Sequence, residues 1–338
     1  MASKWSISTV NSLRQCNRKY YFGSVLANHN HGNRLKRKAF ELKRMQNFLT
    51  WPGSVVDKVM EKIVIPMIKE KQSIDFAIIA DQAVELAKKQ FEFSEQGLYK
   101  NPEVSKSAFD DEWCILDIHE LGKEFSEIEL AKVYDKIRVS LQNVPLITLP
   151  DSEKLLLDYL KEATPLLPNV NNWSFEIEQS RVKPQMDLVL YHTFKPAVVD
   201  WKVSESFTSD YSRQLIVCGL TVYFTRLKKV AEGKTPYQYS DIKLYEVNLY
   251  RGEMKEHLFT EERANELIDY INLTGSDISL LAEQLTGLQS DILQFDLTEN
   301  EGTCAFCNFK TLCQHLILNQ YTYDDTAYTK LVQGKQLS

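Results

Sequence analysis

Pro196-Ala-Val-Val-Asp200-Trp-Lys202-Val203 is the stretch on which the fold reading turns. An apolar, β-branched run leads into an acid and an amine two positions apart, and it reads as a strand. Side chains alternate along a strand, so Asp200 and Lys202 share one face and Trp201 takes the other. Upstream, Met186-Asp-Leu-Val-Leu-Tyr191 reads as a second strand with Asp187 near its start. If the two strands pair, Asp187 joins Asp200 and Lys202. An isolated Asp-x-Lys is most often a salt bridge at a strand end. The apolar lead-in of Ala197, Val198 and Val199, with an upstream acid at hairpin distance, favours a site instead. Two carboxylates hold Mg²⁺ or Mn²⁺, hard cations that prefer oxygen. Such an ion polarises a phosphate oxygen and acidifies water. A neighbouring lysine stabilises the charge that develops on phosphorus oxygens. This is the chemistry of phosphodiester hydrolysis.

Working outward, Trp173-Ser-Phe-Glu-Ile-Glu178 alternates as a strand, and Lys243-Leu-Tyr-Glu-Val-Asn-Leu-Tyr250 returns to strand. Residues 208–230 read as a long amphipathic helix. The segment before residue 172 is mainly helical: 5–22, 34–48, 74–93, 116–141 and a short piece near 151–161. Trp51-Pro-Gly53 reads as a turn, with a further helix from Ser54. Residues 260–273 and 276–294 are helical by apolar recurrence. The expected class is α/β: a core of three or four strands flanked by helices.

The chain has 338 residues, 43% of them hydrophobic and 25% charged, which excludes bulk disorder. No apolar run reaches the roughly 20 residues that span a bilayer, and the first residues carry no apolar leader. A cytoplasmic protein is expected. The net charge is −6, so the whole chain does not advertise nucleic-acid binding. Local patches matter more: Arg34, Lys36, Arg37, Lys38, Lys43 and Arg44 cluster early. On charge pattern alone this is a solvated helix face.

Six cysteines are present, and three form Cys304-Ala-Phe-Cys307-Asn-Phe-Lys-Thr-Leu-Cys313. A reducing compartment favours thiols or metal ligands over disulfides. Tetrahedral zinc and iron–sulfur clusters both want four ligands. The fourth must come from elsewhere, with Cys16, Cys114, Cys218 and His315 as candidates. Cys114 and Cys218 lie in apolar surroundings, where a cysteine behaves as a small buried hydrophobe.

Together, Ser12-Leu-Arg-Gln-Cys16-Asn-Arg18-Lys-Tyr20-Tyr-Phe22, Asp187, Asp200-x-Lys202, Gln214 and the terminal cysteine triplet resemble the iron–sulfur branch of the PD-(D/E)XK nucleases. That branch includes the AddB nuclease domain, CRISPR-associated RecB-like exonucleases and exonuclease V. The resemblance implies a restriction-endonuclease-like core sheet flanked by helices, with a helical insertion. It implies a [4Fe-4S] cluster on Cys16, Cys304, Cys307 and Cys313 that staples the N- and C-terminal regions. Residues 1–57 would begin the nuclease domain, 58–170 would be the insertion, 171–320 the core and cluster loop, and 321–338 a tail. Asp187 and Asp200 would be metal ligands, Lys202 the catalytic lysine, and Gln214 the glutamine of the following helix.

Two positions depart from the family pattern. Asp57, in Trp51-Pro-Gly53-Ser-Val-Val-Asp57, stands where the family carries a metal-binding histidine, and an aspartate still binds Mg²⁺ or Mn²⁺. Cys218 stands where a tyrosine commonly follows the glutamine. The resemblance also recasts Arg18, Arg34, Arg37 and Lys38 as a path for a phosphate backbone. Tyr20, Tyr21 and Phe22 read as packing around the cysteine loop. The implied activity is a metal-dependent DNA exonuclease on single-stranded ends, in repair or antiviral defence. The alternatives are a weakly active nuclease-fold scaffold in a helicase or defence complex, and a zinc-stapled protein without nuclease activity. No Gly-x-x-x-x-Gly-Lys-Ser/Thr motif is present, so unwinding would fall to a partner.

Overall fold

The strand around residue 200 lies at the middle of a mixed sheet. The computed structural model describes residues 3–29, 32–104, 106–205, 210–285 and 292–334. Its strands are β1 (Ser3–Trp5), β2 (Leu166–Val170), β3 (Phe175–Ile177), β4 (Ser180–Val182), β5 (Met186–His192), β6 (Lys195–Lys202), β7 (Lys243–Asn248) and β8 (Glu253–His257). Five of them form one sheet in the order β2-β5-β6-β7-β8, and β1-β4-β3 form a smaller sheet. Only β6–β7 is parallel in the large sheet. The fold is mixed α/β, with sheets flanked by helices.

The chain divides into two compact units. The first comprises Met1–Ile7, Pro52–Val84 and Lys132–Gln284; the second comprises Ser8–Trp51, Glu85–Ala131 and Leu285–Ser338. The first unit holds both sheets. Pro196 through Trp201 is buried without alternation, because a central strand covered on both faces reads as a continuous apolar run. The helix Ser212–Leu227 packs on β6 and β7. Gly219 permits that approach: a methyl there would sit 3.1 Å from Phe259 and 3.2 Å from Leu244. A short helix, Ile65–Lys69, lies against β2.

The hairpin β5–β6 sets the register that matters. His192 pairs with Lys195 across a two-residue turn, and Leu188 pairs with Val199. Asp187 and Asp200 are the residues next beyond the Leu188–Val199 pair on their two strands. Thr193 and Phe194 both take positive φ, 46° and 72°, in a turn where Asn-Gly is the usual choice.

The second unit is helical. It contains Asn17–Tyr20, a π-helical turn at Tyr21–Leu26, and the helices Arg34–Arg44, Lys310–Leu318 and Asp325–Gly334. Tyr21 packs on Phe295 and Phe22 on Phe309, at 4.6 and 5.4 Å between rings. Asn308 donates from Nδ2 to the Leu42 and Met45 carbonyls, fixing the cysteine loop to the end of Arg34–Arg44.

Several local expectations are corrected. Trp51-Pro-Gly53 opens the helix Trp51–Val59 rather than forming a turn. Proline is tolerated in a first turn, where its missing N–H has no partner to lose. The expected 116–141 helix is broken into Asp117–Glu120 and Glu127–Asn143, with Gly122 between them at φ 59°. The strands β1, β2, β4 and β8 lie outside the sequence reading; each is short or polar on one side. Glu261–Leu285 is one helix, not two. The 276–294 reading covers residues 286–291, which lie outside the described residues, as do 208–209 and 335–338. Among the described residues no helix is long and apolar enough to cross a membrane.

Candidate active site

In the first unit, the carboxyl end of β6 and the start of β5 gather acids and one amine. The Lys202 ammonium contacts Asp200 Oδ2. Gln214, in the first turn of Ser212–Leu227, donates from Nε2 to Asp200 Oδ1 at 3.0 Å. The Trp201 backbone N–H donates to Asp187 Oδ2 at 2.9 Å. Lys202 Nζ also stands 4.5 Å from the Tyr211 ring centre, a cation–π contact that holds the amine on the site side. Asp200 is only 4% exposed. Its Oδ2 is the atom paired with the Lys202 ammonium.

Electrostatics tie Asp57 to the same cluster. Burial pushes the Asp57 carboxyl well up, and the nearby Asp187, Asp200 and Glu61 add to this against Lys202. Asp187 is pushed up to about 7 by burial and by Asp200, with the Trp201 N–H and Lys202 pulling it back. Burial also raises Asp200, and Lys202 opposes it. For Lys202 itself burial works against the charge, but Asp200 outweighs it and the amine stays above its ordinary value. Several carboxylates thus share one cationic side chain. Buried negative charge of this kind must take up protons or a cation.

Asp57, Asp187, Asp200, Lys202 and Gln214 therefore lie together. Glu61 belongs with them and was missed. It accepts from Asn169 Nδ2 at 2.7 Å and acts on both Asp57 and Asp187. The Asp57–Glu61 spacing of four was the readable signal, since such residues stack on one helix face. Around Glu61 the helix opens into a π-helical turn, Met60–Val64, a distortion frequent at functional sites. Cys218 is buried beneath the cluster, and burial drives its thiol far up, with Asp200 and Asp187 adding to the effect.

Among the described residues no three Cys, His, Asp or Glu side chains draw together closely enough to close a metal shell unaided. The donor set nevertheless suits Mg²⁺ or Mn²⁺. All its donors are oxygens, burial raises the carboxyls of Asp57, Asp187 and Asp200, and Mg²⁺ usually takes only one or two carboxylates beside water and substrate phosphate.

In the second unit, Cys16 comes to the C-terminal cysteines. Burial raises the Cys307 thiol, and Cys16 and Cys304 act on it from nearby. Cys313 is raised by burial, drawn down by the Arg18 guanidinium, and pushed up again by Cys16 and Cys307. Cys16 Sγ lies 4.0 Å from the Asp296 carbonyl oxygen. Arg18 is 6% exposed; its Nε donates to the Phe295 carbonyl at 3.1 Å, and its Nη1 is buried without a partner. Four thiols suit an iron–sulfur or zinc centre in number and softness, but among the described residues no three of them gather as a group that would hold a metal. Cys114 and Cys218 are buried. His315 is held elsewhere, with its Nε2 accepting from the Asp324 N–H at 3.1 Å.

The basic residues read as a phosphate path are mostly internal. Arg37 bonds Glu41 at 3.0 Å and donates to the Tyr99 carbonyl at 2.7 Å. Lys38 bridges Glu41 and Glu120 at 2.7 and 2.9 Å. Both are buried, and Arg18 is spent on the cysteine region. Arg34 alone of the four is exposed, facing Asp325 at 3.6 Å. A cation enclosed between carboxylates has no reach to a DNA backbone.

A family profile for the PD-(D/E)XK nuclease superfamily matches residues 4–314. The chain belongs to the PD-(D/E)XK nuclease superfamily, whose members are typically metal-dependent nucleases. A search of curated proteins gave no match.

Proposed function

We propose that this protein is a deoxyribonuclease of the iron–sulfur branch, cutting phosphodiester bonds at single-stranded ends. The observation that carries the reading is the Gln214–Asp200–Lys202 chain of contacts beside Asp187. In this reading Asp187 and Asp200 would hold Mg²⁺ or Mn²⁺, with Asp57 beside them as a further oxygen donor, and the ion when bound supplies Lewis acidity at the scissile phosphate. Lys202 keeps its proton, because Asp200 stabilises the ammonium, and places that charge where the phosphorane oxygens become negative. Gln214 orients Asp200 through its amide, and the Trp201 N–H orients Asp187. Tyr211 limits the swing of Lys202. Burial of the acids strengthens each of these interactions by excluding water.

Cys16, Cys304, Cys307 and Cys313 are proposed as ligands of a [4Fe-4S] cluster that ties the chain ends within the second unit. Single-stranded DNA is the proposed substrate, with any unwinding left to a helicase or other partner. End-labelled single-stranded DNA with Mg²⁺ or Mn²⁺ should be shortened by wild type. Asp200→Ala and Lys202→Ala should each lower the rate by about 10³-fold, the scale of losing one preorganised electrostatic group. Binding without shortening in either metal would favour the scaffold reading, which the Asp57 and Cys218 departures motivate.

A further inference from the structure

The turn of the β5–β6 hairpin lies at the opposite end of the strands from Asp187 and Asp200. Phe194 precedes Asp200 by six positions, or roughly 20 Å at about 3.3 Å per residue. At that end the first unit has a cavity of about 340 Å³. Trp173, Tyr191, Phe194 and Tyr237 supply its aromatic wall, Arg226 and Lys229 its charge, and no carboxylate lines it. The Arg226 guanidinium stands 4.7 Å from the Tyr237 ring centre, and its Nε donates to the Thr235 carbonyl at 2.7 Å. Two contacts thus fix the fork. Lys229 is exposed and makes no ion pair among the described residues.

Phe194 is the second observation. It is 83% exposed at a φ of 72°, after Thr193 at 46°. A bulky residue rarely adopts the left-handed region, and the turn type favours Asn-Gly. Strain without compensating burial points to use by something outside the chain.

We propose that this cavity docks one unpaired nucleotide of a single-stranded DNA, remote from the cutting site on the same strand. The base lies against the aromatic wall, and Arg226 and Lys229 meet its phosphates. Flat aromatic faces with cations and no acid suit a planar anion-bearing ligand better than an aliphatic or acidic-lined partner would require. The volume falls within the 300–1,000 Å³ typical of small-ligand sites. An unpaired base has a free face to lay on the aromatic wall, whereas a base in a duplex is stacked between its neighbours. The choice of DNA rests on the nuclease reading above; the pocket itself is tested apart from cleavage.

Full-length protein is titrated into fluorescent (dT)20 in chelator, with anisotropy as the readout. Phe194→Ala and the Arg226→Ala/Lys229→Ala double variant should each weaken binding about tenfold, since stacking of one base contributes about 1–3 kcal/mol. Cleavage of a dinucleotide, too short to bridge both sites, should be unchanged in Phe194→Ala. Wild-type affinity in both variants, or no binding of (dT)20 by wild type, overturns the proposal. So does loss of a dimer in gel filtration by Phe194→Ala in place of lost DNA affinity, which would make the pocket a self-docking face. A wild type that binds (dT)20 through this pocket yet cuts nothing would refute the nuclease reading and leave the pocket standing.

Discussion

At the scale of single residues, Asp187 carries a pH signature. Its folded pKa of about 7 lies above the 3.8 of the free side chain, so the metal-free fold binds a proton that the unfolded chain releases. The associated stability is fully present below about pH 4 and is lost as pH rises through about 7. Urea titrations of metal-free protein should show stability falling by an amount on the order of a few kcal/mol between pH 4 and pH 8. Asp187→Asn should flatten the slope, and added Mg²⁺ should restore stability at pH 8. An unchanged slope in Asp187→Asn would remove the assignment. Lys38 gives the converse case. Burial works against its charge, yet Glu120 and Glu41 raise its pKa. Lys38→Met should cost about 3 kcal/mol by equilibrium unfolding, because it leaves buried carboxylates uncompensated. The company of Asp187 was legible in the sequence, but its burial was not, and Lys38 reads as one more surface cation until Glu120, far along the chain, is in place.

Among elements, the helix Ser212–Leu227 connects packing to chemistry. Gly219 lets it approach Leu244 and Phe259, and its first turn presents Gln214 to Asp200. Gly219→Val should lift the helix and cost about 2 kcal/mol of stability, the scale of core overpacking. Activity should fall further than stability alone explains, because Gln214 moves with the helix; melting curves and single-turnover rates on one preparation would separate the two effects. The strands β5 and β6 were readable because both faces are buried and their apolar runs are continuous. β8 was not: Glu253–His257 is largely polar and half-covered, and it pairs because β7 offers a free edge. The helix start at Trp51 was misread for a different reason. Proline and glycine signal a turn in isolation, but Trp51 is fully buried with its Nε1 donating to Gln90 at 2.6 Å, and that anchoring overrides the local signal.

For the molecule as a whole, the cysteines give the decisive measurement of the proposed branch. Anaerobically purified protein should be brown and hold about four iron and four sulfide per chain. Cys16→Ser and Cys313→Ser should each bleach it and lower the melting temperature, since a structural metal site contributes folding free energy. One zinc with no sulfide would refute the cluster. The two strands bearing Asp187, Asp200 and Lys202 were determined by the sequence, because each is written in residues close along the chain, and the superfamily followed from those strands taken with motifs elsewhere in the sequence. What only the tertiary structure decided is which distant groups meet. Glu61 acts on the acids, and Arg37 and Lys38 turn inward to Glu41 and Glu120. Burial and charge neighbourhood are properties of the folded surface, and residues far apart in the chain carry no local mark of the partner that will share their solvent-free space.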